Sequence, residues 1–142
     1  MGTPLIDALN VPAITAYELD DGTTTPGLRS LGAVLALHGI SVNGGLVGGG
    51  VENLFFTERL HTVDDAAAGL RWLGLDDVAD LVLRARGEFL RFRPTGHEEL
   101  SDADAAVWER LDGEFEALAT DERLEAAVAA RLEEIAPEPA SS

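Results

Sequence analysis

The chain has 142 residues, with 26 carboxylates against 10 basic side chains and a formal net charge of −16. That length suits one domain able to bury roughly two-thirds of its unfolded surface. The lack of cysteine excludes disulfide scaffolds, thiol catalysis and cysteine-ligated zinc, and the acidic excess argues against direct binding to DNA, RNA or anionic membrane.

From the N-terminus, MGTPLIDALNVPAITAYEL shows no basic start followed by an apolar run, and no stretch approaches the roughly 18 apolar residues of a membrane span. A cytoplasmic protein is the expectation. Two prolines and the cluster DDGTTTP mark residues 1–25 as an N-terminal arm or short helix near Ile6 to Leu19. Thr25 then Pro26 reads as a helix start, hydroxyl cap followed by proline in the first turn. The helix it opens runs to about Ile40 and is apolar nearly all round (Leu28, Leu31, Val34, Leu35, Leu37), so it is expected at the centre of the fold.

Residues Gly44 to Gly50 hold five glycines, and a short helix from about Val51 to Leu60 follows. Thr62-Val63-Asp64-Asp65 resembles a capping box, and Gly74 can end that helix in the left-handed conformation. Asp76 can cap the next helix, with Val78, Leu81, Val82, Ala85 and Phe89 at helical spacing and Pro94 beyond its end. Ser101 opens a helix carrying the stripe Trp108, Leu111, Phe115 and Leu118. Thr120 opens a last one with Leu124, Val128, Leu132 and Ile135 inward. With no strand alternation, the expected fold is all-α: a single-domain bundle of five to seven helices spanning 26–136, built from the antiparallel hairpins 62–73/76–91 and 101–119/120–136. Residues 137–142 read as a disordered tail.

The glycine segment fails as a phosphate loop, because a Walker sequence needs a lysine after its second glycine and this chain has none. A structural turn where backbones approach closely is the better reading. His38, His61 and His97 are scattered, and no His-Glu-x-x-His pair exists to hold a metal. Paired carboxylates such as Asp64/Asp65 and Asp76/Asp77 fall at helix starts, where they meet the positive end of the dipole. No serine lies in a nucleophile elbow. No catalytic residue, metal site or cofactor is expected, and the chain reads as a non-enzyme.

The charge itself is uneven. Residues 97–142 carry fourteen carboxylates and three arginines, a net −11 of the total −16. On the helix at 102–118, Asp102, Glu109, Asp112 and Glu116 span about 80° of the circumference at 100° per residue. They form one carboxylate face, which Glu122 and Glu133 extend along the last helix. Either this surface only keeps the chain soluble, or it meets a basic partner that relieves its self-repulsion.

The order of apolar helix, Asn43-Gly44-Gly45, aromatic segment, a helical pair (Ala67, Leu70, Gly74, Ala79, Leu81) and a later Leu111-Asp112-x-x-Phe115 pattern resembles a bacterial family of small acidic helical domains. Its best-known member is a DNA mimic. Leu46 stands where that family has phenylalanine, and VGGGVENLFF replaces its Gln-Phe-Phe stretch. The resemblance implies a protein that presents carboxylates in place of DNA phosphates to a DNA-binding regulator, and it implies a homodimer. An immunity-like or antitoxin-like inhibitor of a basic nuclease or toxin would use the same electrostatics. A third class, a small-molecule binder, would place its ligand near Asn43-Gly44-Gly45 and Trp72.

Overall fold

Thr25 accepts a hydrogen bond from the Leu28 N–H at 3.0 Å, with Pro26 in the first turn, and the helix that follows is the axis of the fold. The computed structural model describes residues 3–19 and 24–136; the expected turn around residues 20–23 and the expected tail at 137–142 lie outside the described residues. The elements are α1 (Pro4–Leu19), α2 (Pro26–Gly44), a π-helical turn (Leu46–Val51), α3 (Glu52–Phe56), α4 (His61–Trp72), α5 (Asp76–Phe92), α6 (Asp102–Leu118), α7 (Asp121–Ala130) and α8 (Leu132–Ile135). There is no strand among the described residues, as the all-α expectation requires. The expected last helix breaks at Arg131, which raises the count of α-helices among the described residues to eight.

Helix α2 packs against α1, α4, the π turn and α8, and buries Leu31, Val34, Leu35 and Leu37 around its circumference. Fully burying each such side chain contributes about 1.5–3 kcal/mol. The core continues through Leu46, Val47 and Val51 of the π turn, Val63 and Leu70 of α4, and Val78, Leu81, Val82, Ala85 and Phe89 of α5. Close helix approach needs small residues. A Cβ on Gly69 would lie 2.6 Å from the Ser30 carbonyl oxygen, and one on Gly32 would run into the Ala13 backbone.

The expected N-terminal arm is a full helix that starts two residues earlier than the sequence suggested. Ala13 and Ala16 of α1 are buried, and its first turn is capped from a distance. The Glu125 carboxylate of α7 accepts from the Leu5 N–H at 2.9 Å and the Ile6 N–H at 3.0 Å.

The α4/α5 hairpin forms as expected. Gly74 has φ +83, and the Leu75 and Gly74 N–H groups bond back to Leu70 and Arg71 carbonyls, the ladder of a Schellman stop. Two expected caps do not form. Thr62 lies inside α4, buried, where its hydroxyl is hydrogen-bonded to the Tyr17 hydroxyl at 3.0 Å, and Asp76 occupies the first turn of α5 without capping it. Burial first, then the Asp65 carboxylate that also takes the Tyr17 proton bond at 2.6 Å, pushes the Tyr17 pKa up to about 12.

The second expected hairpin is altered. Ser101 and Thr120 cap α6 and α7 as the sequence indicated. Yet α7 turns away to pack on α1, and α8 docks on α2. Thr25 Oγ1 donates to the Ile135 carbonyl at 2.7 Å, and Arg131 lies 5.0 Å over the Trp72 ring. No single helix among the described residues is long and apolar enough to cross a membrane.

Candidate functional site

The glycine segment is a backbone-on-backbone turn. After Gly45, at φ +87, the chain winds one π turn in which the Gly50 N–H reaches the Gly45 carbonyl at 3.0 Å and the Glu52 N–H reaches that of Val47. This turn lies against the end of α2. A Cβ on Gly49 would lie 2.6 Å from the Ile40 carbonyl oxygen, and one on Gly50 would lie 2.5 Å from Ser41 Oγ. Glycine is required here for approach, which is the structural role expected of it. Leu46 is fully buried and fills core space at the position where the resemblance placed phenylalanine.

Asp112 of α6 holds this turn. Its Oδ1 accepts from the Val47 N–H at 2.8 Å, and its carboxylate sits 2.5 Å from where a Cβ of Gly45 would be. Burial raises the Asp112 pKa, the Val47 and Leu46 N–H groups pull it back, and Glu116 adds a further upward push. Asp112 is therefore half-buried and internally bonded, which corrects its placement on the outward carboxylate face. The helical wheel carries a signal for this, because Asp112 lies only about 40° round from Trp108 of the inward stripe.

The other members of the expected face are outward. Asp102, Glu109, Glu116, Glu122 and Glu133 are exposed and make no hydrogen bond or ion pair among the described residues. Elsewhere most carboxylates are paired, and Glu58, Asp76 and Glu99 are exposed without a partner among the described residues. Arg59 meets Glu18, Arg71 meets Asp80, Arg84 meets Glu114 and Arg86 meets Asp64. Arg91 meets Glu88 and Asp104, Arg93 meets Glu52, Arg123 meets Asp77 and Arg131 meets Glu134. The Arg123 guanidinium holds the Asp77 carboxyl below its ordinary range. Among the described residues eight arginines are thus spent on pairs, three of them with Glu114 and Asp104 of α6 and Glu134 of α8, and most of the unpaired acids lie along α6, α7 and α8. Arg84 and Arg110 line a groove between α5 and α6 and bound the acidic surface on that side.

One concavity touches this surface. The last turns of α2 (His38, Ser41, Val42), the end of α6 (Phe115, Glu116), the link Ala119-Thr120 and Asp121 enclose a groove of ≈ 270 Å³. Val42 is 69% exposed there, which makes it one of the more open apolar side chains of the molecule. The sequence reading missed this groove, because its walls come from segments far apart in the chain.

The third expected site does not assemble. Trp72 abuts Gly27 at the start of α2, while Asn43-Gly44-Gly45 lies at its other end, about 25 Å away at 1.5 Å per residue. No three His, Asp or Glu side chains converge to hold a metal ion among the described residues.

Fold and surface together define a small acidic all-α domain with exposed, unneutralised carboxylates on α6, α7 and α8. Residues 22–134 match the family model of the DMP19-like protein, and the chain belongs to that family. No curated protein and no solved structure shows a significant match.

Proposed function

We propose that this chain is a non-enzymatic interaction protein whose carboxylates stand in for DNA phosphates and occupy the basic groove of a DNA-binding protein, with a transcriptional regulator as the leading partner. The observation that carries this reading is the segregation of charge. Among the described residues, six of the nine exposed carboxylates without a partner lie on α6, α7 and α8 (Asp102, Glu109, Glu116, Asp121, Glu122 and Glu133), and only Glu58, Asp76 and Glu99 lie elsewhere. Like charges so arranged repel, and a basic surface laid over them turns that repulsion into attraction and speeds encounter.

The test is capture of partners from host lysate on the immobilised protein, with elution by salt and by operator DNA. Electrostatic binding must weaken as ions screen it. A regulator released by its own operator, and no longer captured by the triple variant Glu109→Lys, Glu116→Lys, Glu122→Lys, is the expected result. Undiminished capture by that variant, with its helical circular dichroism intact, would overturn the reading. A basic nuclease or toxin in the eluate would instead favour the inhibitor class.

A further inference from the structure

We propose that the groove between the end of α2 and the α6/α7 corner receives a single arginine side chain of the basic partner, a claim that rests on the reading above. Its rim carries two exposed, unpaired carboxylates, Glu116 and Asp121. Its lining mixes the apolar Val42, Phe115 and Ala119 with His38, Ser41 and Thr120. An apolar void of ≈ 20 Å³ that also touches Val34, Leu37 and Leu124 shares His38, Phe115, Ala119 and Thr120 with the groove. Among the described residues no arginine lines the groove, and His38 is its one basic side chain. The nearby Arg123 borders the void and is held by Asp77 and by the Leu118 carbonyl at 2.8 Å.

Apolar surface from Val42, Phe115 and Ala119 beside two exposed carboxylates matches the build of arginine. The three-carbon stem covers apolar surface, and the planar guanidinium offers five donors that can bridge two carboxylates. Lysine fits less well, since its compact ammonium is more strongly hydrated. The consequence for function is selectivity. A bare carboxylate face attracts any cation, whereas this groove favours the partner that offers an arginine at the right place.

The experiment uses two alternating peptides of equal charge, one of arginine and alanine and one of lysine and alanine, titrated by calorimetry at low and moderate salt. The arginine peptide should bind more tightly. The double variant Glu116→Gln, Asp121→Asn should weaken it about tenfold, and Val42→Ser, which changes no charge, about threefold. The equally discharged control Glu58→Gln, Glu99→Gln, outside the groove, should lose about twofold or less. All these side chains are exposed, and a thermal melt of each variant checks the fold. Equal losses in groove and control variants, or no effect of Val42→Ser, would overturn the groove while leaving the basic-partner reading in place. Absence of salt-sensitive binding by either peptide would sink both.

Discussion

A Cβ added at Gly45 would lie 2.5 Å from the Asp112 carboxylate on a backbone with φ +87. Left-handed backbone alone costs an L-residue about 1–2 kcal/mol, so Gly45→Ala should lower stability by about 2 kcal/mol or more in urea denaturation. Asp112 permits a finer check. Burial holds its folded carboxyl above the ordinary value, so the folded chain binds that proton more tightly than the unfolded chain. Its contribution is therefore fully present below the unfolded value and is lost as pH rises through the folded one. Asp112→Asn keeps an oxygen acceptor for Val47 and removes the titration. Its stability should gain on that of the native chain as pH rises from about 4 to about 7. Asp112→Ala loses the acceptor and should sit about 1–2 kcal/mol lower. A flat difference between the native chain and Asp112→Asn across that range would mean that the carboxyl is not held high.

Within α2 the same residue type plays opposite parts. Gly39 is exposed with open space where a Cβ would go, whereas Gly32 faces the Ala13 backbone of α1. Gly39→Ala should therefore stabilise by about 0.5–1 kcal/mol through helix propensity. Gly32→Ala should destabilise by about 1–3 kcal/mol, because α1 must move away. Paired denaturation curves of the two variants give the sign directly. Local signals were legible where the partner is local: Thr25, Ser101 and Thr120 each bond an N–H three residues on. Thr62 carries the same letters but is claimed by Tyr17, 45 residues earlier, and no window of sequence contains that competitor. The turn of α7 away from α6 has the same origin, since Glu125 answers to the first turn of α1.

Across the whole molecule a net charge of −16 sets two salt effects of opposite sign. Screening relieves self-repulsion of the compact state, so the melting temperature of the free protein should rise between low and moderate salt. Binding to a basic partner should weaken over the same range. A melting temperature that is flat or falls with salt would mean that the arginine pairs, and not the unpaired face, dominate the field of the folded chain.

Composition and periodicity determined that this is an all-α domain with its charge concentrated in the last third, because both follow from residue types and 3.6-residue spacing along one helix at a time. The same logic read the core faces of α2 and α5, which hold at every position named except Leu28, half-buried against the core. It also read Glu109 and Glu116 as outward. Tertiary structure alone decided that Asp112 turns inward to hold the π turn, and that Glu125 is an internal cap. It also decided that Val42, Glu116 and Asp121 share one groove. Those outcomes depend on which distant backbone N–H or side chain lies opposite once the helices pack, and a carboxylate at the border of a helix face is assigned by that neighbour.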